Sequence, residues 1–258
     1  MTAERLDDTL HDTLIETRNV SKRFGGFLAL KDISVRIPRG RLTSIIGPNG
    51  AGKSTYFNML SGAHAPSGGQ VIFDGQDITG LKPHDFAHIG IAKSFQITNL
   101  FPRFTALENV RIALQAHVSR YGLWRKRASL AGLEERAMDL LRTVGLQERA
   151  RHRAHELAHG QQRSLEIAVA LAADPKLLLM DEPTAGMSPE ETKTMMHLIR
   201  ELVEARTVVL VEHKMKMVMG ISDRIVVLHH GELLAEGTPD DIRCDEQVKR
   251  VYLGQGNH

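Results

Sequence analysis

The stretch GPNGAGKST, Gly47–Thr55, decides the fold. It follows the short apolar run LTSII (Leu42–Ile46) and precedes YFNMLSG (Tyr56–Gly62), so a strand enters a glycine-rich loop and a helix leaves it. The spacing is G-x-x-x-x-G-K-[ST]. Glycines let such a loop wrap with its N–H groups turned inward, and the start of the following helix adds a favourable dipole for an anion. Gly47, Pro48, Asn49, Gly50, Ala51, Gly52, Lys53, Ser54 and Thr55 are therefore the candidate phosphate-binding residues. Lys53 would reach the terminal phosphates and the Ser54 hydroxyl would ligate Mg²⁺. A chance match in a chain of this length is on the order of one in a hundred from average residue usage, and the strand-loop-helix context lowers that further.

Working outward, KLLLMDEP (Lys176–Pro183) puts Asp181 and Glu182 at the C-terminal edge of a second apolar strand, the edge where open parallel sheets bind ligands. Alone, two acids there are a solvated turn. Beside a phosphate loop, Asp181 reads as a Mg²⁺ partner through water and Glu182 as the group that polarises the water attacking a γ-phosphate. His213 ends the strand TVVLVEH and is placed to contact that phosphate. Gln96, in KSFQ, is placed to reach Mg²⁺ and the water. Phe24, in SKRFGG, offers a ring for an adenine, with simple packing as the alternative.

Chain order supplies the frame. LIETRNVSKRF, ALKDISVRI and VIFDGQDI read as strands punctuated by the turns GG, PRG and DG. Residues from Thr105 to about Glu166 read as helical, with TALE (Thr105–Glu108) as a capping box and Gly145 as a helix stop. Strands and helices then alternate through TVVLVEH, KMKMVMGIS and RIVVLHHGE, the pattern of a buried parallel sheet. SPEE (Ser188–Glu191) caps the helix after KLLLMDEP, and TPDD (Thr238–Asp241) starts the last helix. The expected fold is α/β: a P-loop core with a parallel sheet, an N-terminal antiparallel β-subdomain and a helical insertion at about 101–156. One domain spans 14–258, with a tail at about 236–255 and an extension at 1–13.

Composition sets outer bounds. The 258 residues are 42% apolar and 25% charged with a net charge of +2, which carries no broad nucleic-acid signature. The basic runs Ser119–Arg127 and Arg149–Arg153 read as solvated helix faces. Cys244 is the only cysteine, so disulfides within the chain are excluded and a reducing compartment is expected. MTAERLDDTLHDT is polar and acidic without a signal-type apolar stretch, and no apolar run approaches the ~20 residues that span a bilayer.

The order of these features, with LAHGQQRSLEIA (Leu157–Ala168) between Gln96 and Asp181, resembles the nucleotide-binding subunit of ABC transporters over nearly the whole chain. The resemblance implies that Ala158, His159, Gly160 and Gln161 form the signature segment, which closes over ATP held on the phosphate loop of a second ATP-binding chain. That second chain is either another copy or a relative. Ala158 stands where the family has a serine, and a lost charge-assisted hydrogen bond there is worth about 1.5–3 kcal/mol. Backbone N–H groups around Gly160 and the helix start near Gln161 are expected to keep the segment working. Ser188 stands where the family usually has an aspartate.

TAGMSPEET, VEHKMKMVMGISDRIVVL, GTPDDIR and the VYLG ending at Gly254 are similar to the branched-chain amino-acid importer subfamily, which includes amide importers. This implies transmembrane permease subunits as partners, a periplasmic binding protein acting indirectly, and a peripheral place on the cytoplasmic face of the inner membrane. The stretch NLFPRFTALENV (Asn99–Val110) is expected to expose Leu100, Phe101 and Phe104 as a permease groove. A lipopolysaccharide-export ATPase, which shares the VKRVYLG-like tail, and a non-hydrolysing ATP-binding regulatory module stay open as alternatives. A non-transport ABC ATPase would bring long insertions or a second cassette, and neither is present.

Overall fold

A computed structural model describes residues 12–94, 100–118 and 128–253. Its strands are β1 (Thr13–Phe24), β2 (Phe27–Pro38), β3 (Leu42–Ile46), β4 (Gly68–Phe73), β5 (Gln76–Asp77), β6 (Ile91–Ser94), β7 (Leu177–Asp181), β8 (Thr207–Val211), β9 (Arg224–His229) and β10 (Glu232–Gly237). Its α-helices are α1 (Lys53–Leu60), α2 (Pro83–Ile89), α3 (Ala106–Val118), α4 (Ala128–Thr143), α5 (His159–Leu171), α6 (Pro189–Val203), α7 (Met215–Ile221), α8 (Pro239–Cys244) and α9 (Glu246–Leu253). The chain divides into two compact units, Met1–Phe86 with Arg200–His258, and Ala87–Ile199.

The first unit holds an antiparallel sheet in the order β2-β1-β4-β5. β1 and β2 meet across Gly25 and Gly26, with Phe24 opposite Phe27. Asp74 and Gly75 both take positive φ, 52° and 77°, the left-handed pair that a two-residue hairpin needs to match strand twist. β2 alternates as a half-buried strand must, with Ile33, Val35 and Ile37 inward. In the same unit β3 lies parallel between β8 and β9. Every residue of β3 and β8 is buried, which is why these strands read as unbroken apolar runs. β10 returns antiparallel on the outer edge of β9.

The TPDD box does cap a helix: the Asp241 N–H donates to Thr238 Oγ1 at 3.3 Å and the Thr238 N–H to Asp241 Oδ2 at 2.8 Å. That helix, α8, is not the last, and α9 follows at once. Asp245 caps α9 by accepting from the Gln247 and Val248 N–H groups at 2.7 and 2.9 Å. α9 buries Val248 in a cluster with Ile46, Val218, Ile225, Val227 and Ile242, and Tyr252 packs against it.

The second unit holds the parallel pair β6 and β7, with Lys93 opposite Leu179 and Ser94 opposite Met180. Three of its helices, α3, α4 and α5, bury Val110 and Leu114, Leu133, Ala137 and Leu141, and Leu165 and Ala168. Each large apolar side chain so buried contributes about 1.5–3 kcal/mol. The Thr105 box forms, the Thr105 N–H donating to Glu108 Oε2 at 2.8 Å and the Glu108 N–H to Thr105 Oγ1 at 3.1 Å. Gly145 stops α4 in a Schellman arrangement: its N–H reaches the Arg142 carbonyl at 3.0 Å, and the Leu146 N–H reaches Leu141 at 2.7 Å. Among the described residues no helix is long and apolar enough to cross a membrane.

Candidate functional site

In the first unit the loop from Gly47 to Gly52 joins β3 to α1. Gly47 has φ +155°, and a Cβ there would lie 2.2 Å from the Leu228 carbonyl oxygen on β9. Gly52, at φ +96°, is the N-cap of α1 and provides no side-chain cap. Both positions exclude a side chain, one by close approach to backbone and the other by left-handed geometry beside Leu30. The Ala51 N–H closes the loop on the Pro48 carbonyl at 3.2 Å. Lys53 folds back over it, its ammonium donating to the Gly47 and Pro48 carbonyls at 2.7 and 2.9 Å. Asn49, Gly50 and Ser54 are exposed and Thr55 is half-buried. The next turn of α1 is anchored by the fully buried Tyr56 and Phe57. The Tyr56 hydroxyl lies 3.0 Å from that of Thr17, and burial pushes its phenol pKa up.

The same unit carries His213 and Phe24. His213 follows Glu212, whose side chain is wholly buried, while the imidazole is 55% exposed with Nδ1 3.9 Å from that carboxylate. The His213 N–H donates to Glu212 Oε2 at 3.2 Å. Phe24 ends β1 with its ring 44% exposed. His64 meets it edge-on at 5.4 Å and the Lys22 ammonium lies 5.1 Å from its centroid.

In the second unit β7 delivers Asp181 as its last, buried residue. Burial holds the Lys93 ammonium below the usual lysine range, and the charge of Asp181 opposes that shift. Glu182 takes φ +45°, left-handed for a non-glycine residue, in a turn closed by the Ala185 N–H on the Glu182 carbonyl at 3.0 Å. Such strain is of order 1–3 kcal/mol and marks positions that the surrounding structure holds in place. Ser188 caps α6: the Glu191 N–H donates to its hydroxyl at 3.2 Å, and its own N–H donates to Glu191 Oε2 at 2.9 Å.

The segment at Ala158 starts a helix as expected, two residues earlier than Gln161. Ala158 is the N-cap of α5 and brings no side-chain acceptor. Gln161 supplies the reciprocal half of a cap, its Oε1 accepting the Ala158 N–H at 3.2 Å, and Gln162 donates to the Leu157 carbonyl at 3.0 Å. A Cβ at Gly160 would sit 2.7 Å from Glu191 Oε1, and the Glu191 carboxyl is held below the usual range first by the Ser188 backbone and hydroxyl, then by the Gly160 N–H and the nearby His159. His159 in turn lies against Gly186, 3.4 Å from where a Cβ would stand. Gln96, Asn99 and the basic run Ser119–Arg127 lie outside the described residues.

Sequence reasoning reads Glu191 only as a helix cap. Its second partner sits on a helix some thirty residues away, and no local pattern signals that meeting. Among the described residues no group of three or more His, Cys, Asp or Glu forms a metal cage.

Comparison with known proteins adds a lineage to this geometry. Residues 30–185, more than half of the chain, match the family described as ABC transporter, and residues 232–258 match the branched-chain amino acid ATP-binding cassette transporter family. The high-affinity branched-chain amino acid transport ATP-binding protein BraF of Pseudomonas aeruginosa is 42% identical over 250 residues, covering 94% of this chain and 98% of its own. A nucleotide-free ATP-binding cassette from an ABC transporter superposes with a TM-score of 0.81 at 30% identity, over 93% of this chain and 98% of that one. A dimeric ATP-binding cassette in a post-hydrolysis state with ADP and Pi superposes with a TM-score of 0.75 at 31% identity, over 88% and 99%.

Proposed function

The chain belongs to the ABC transporter family, and on that premise we propose that it is the ATP-binding and hydrolysing subunit of an importer for branched-chain amino acids or related amides. The match of residues 232–258 to a branched-chain transporter family carries the substrate class, because it lies beyond the cassette match at 30–185. It favours this reading over a lipopolysaccharide exporter.

ATP is the substrate. Lys53 exchanges the Gly47 and Pro48 carbonyls for phosphate oxygens, and the N–H groups of Gly50 to Thr55 take the remaining phosphate charge at the start of α1. Phe24 stacks on the base. Ser54 and Gln96, and Asp181 through water, are the residues that would hold Mg²⁺, whose charge would offset that of the phosphates. Glu182 orients and polarises the attacking water, and the imidazole of His213 contacts the γ-phosphate. The segment Ala158 to Gln161 acts on nucleotide held by a second ATP-binding chain.

The subunit works peripherally, on the cytoplasmic face, through permease subunits served by a periplasmic binding protein. The permease surface is at Phe101 and Phe104, 50% and 43% exposed with ring centroids 5.4 Å apart. Their loop is held by the buried Asn109, which accepts from the Phe101 N–H at 2.8 Å and donates to the Thr105 carbonyl at 2.9 Å. A rigidly presented apolar pair in a polar loop suits docking.

Glu182→Gln tests the catalytic assignment. Phosphate release is expected to fall about 10²–10⁴-fold with ATP affinity kept, and near-parental release would refute the role. Uptake of labelled leucine against short amides, by the chain reassembled with its permeases, decides the substrate.

A further inference from the structure

We propose that His64 is a positioning residue for the base-stacking ring of Phe24, so that the segment leaving α1 sets how well the chain holds a nucleoside rather than phosphate alone. The inference deepens the role given to Phe24 above and rests on it. Phe24 ends β1 with its ring 44% exposed, and Gly25 and Gly26 follow. A ring left to turn in solvent would have to be ordered by an arriving base, and that ordering subtracts from affinity. Here two neighbours hold the ring beforehand. The His64 imidazole stands 5.4 Å from it at 78°, the perpendicular arrangement that ring quadrupoles favour. The Lys22 ammonium lies 5.1 Å from the Phe24 centroid and donates to the Ala65 carbonyl at 2.6 Å.

The segment carrying His64 and Ala65 is itself fixed on both sides. The Ser61 N–H donates to the Phe57 carbonyl at 3.1 Å and the His64 N–H to the Asn58 carbonyl at 3.0 Å, which ties the segment to the last turn of α1. Further on, the Ser67 N–H donates to the Ser21 carbonyl at 2.8 Å and the Arg23 N–H to Ser67 Oγ at 3.0 Å, so the segment is laced to β1 just before Phe24. α1 starts at the phosphate loop and runs for eight residues, about 12 Å. One short helix therefore carries the phosphate contacts at its start and the brace of the base ring past its end. The backbone ties hold the segment whatever side chain stands at 64, so the imidazole's own effect falls on Phe24.

The test is His64→Ala in the full chain, with His64→Phe as the variant that restores a ring. Equilibrium binding of a slowly hydrolysed ATP analogue and of inorganic tripolyphosphate, which has no base, would be measured with steady-state ATPase kinetics. Losing an aromatic pair of this kind is expected to raise Kd for the analogue and KM for ATP about two- to tenfold. Tripolyphosphate affinity and turnover at saturation should stay within about twofold, and His64→Phe should recover most of the loss. In a Phe24→Ala chain, whose own Kd for the analogue should be raised, adding His64→Ala should weaken binding by less than about twofold more, since the ring it positions is gone. Parental Kd in His64→Ala, a matching loss for tripolyphosphate, or an undiminished effect in the absence of Phe24 would each overturn the inference alone. If Phe24→Ala by itself leaves the analogue's Kd unchanged, the reading of Phe24 as the base contact fails and the inference with it.

Discussion

α1 is N-capped by Gly52 and α5 by Ala158, and neither residue brings a side-chain oxygen to its helix's first turn. At the first, left-handed glycines shape the loop and the group folded onto it is a cation from the same turn, Lys53 resting on carbonyls. At the second, a carboxylate from another helix, Glu191, lies against Gly160. An anion arriving at α1 meets a positive charge already in place. An anion arriving at α5 meets a negative one that must give way. Two ends with the same missing cap therefore differ in readiness: on the roles proposed above, one would receive phosphate and the other would exchange one acid for another.

Gly47→Ala should produce the largest effect. The added Cβ would meet buried backbone at 2.2 Å, which cannot yield as a side-chain tip would. ATP affinity measured by calorimetry should fall by more than about 100-fold, with a stability loss of about 2 kcal/mol or more in denaturant. Parental affinity would erase the distinction drawn for α1. Gly160→Asp comes next, since its Cβ faces only the flexible end of Glu191. The fold should survive and the chain's own ATP affinity should stay within about twofold. Steady-state ATPase should drop about 10²–10³-fold, the size expected for losing an anion-stabilising donor. A variant that loses affinity in equal measure would place both helix ends on one nucleotide.

Glu191→Gln sharpens the contrast. It keeps an acceptor for the Ser188 N–H and removes the charge at α5. The KM for ATP should fall a few-fold at unchanged kcat, by a fall in the negative charge facing phosphate at a helix start. An unchanged KM would make Glu191 a cap and nothing more. Ala158→Ser should be the mildest. A serine at N-cap should stabilise the chain by about 0.5–1 kcal/mol in thermal unfolding, with turnover within a few-fold of the parent.

Much of this architecture is legible before any coordinates. β3, β7 and β8 are covered on both faces, so their sequences are plain apolar runs, and three capping boxes mark helix starts at Thr105, Ser188 and Thr238. β10 is harder to read because an edge strand pairs on one side only and its ELLAEG mixes apolar and charged residues. α2 and α9 are short, and their burial rests on contacts distant in sequence. In the candidate site, the strand-loop-helix turn at Gly47 to Thr55 is read directly from its local spacing. The approach of Glu191 to Gly160 and the packing of Tyr252 on the cluster containing Ile46 depend on which segments the fold brings side by side, and local periodicity does not encode that.

The left-handed backbone at Glu182 carries a consequence for how this chain would drift under different pressures. Glycine adopts φ near +45° at no steric cost, whereas glutamate there forgoes about 1–3 kcal/mol. A population of variants screened for heat resistance alone would lose the carboxylate at 182 and grow sturdier. A population screened for ATP turnover would keep it and stay weaker at that turn. The residue at this single position would report which of the two demands the chain had been made to meet.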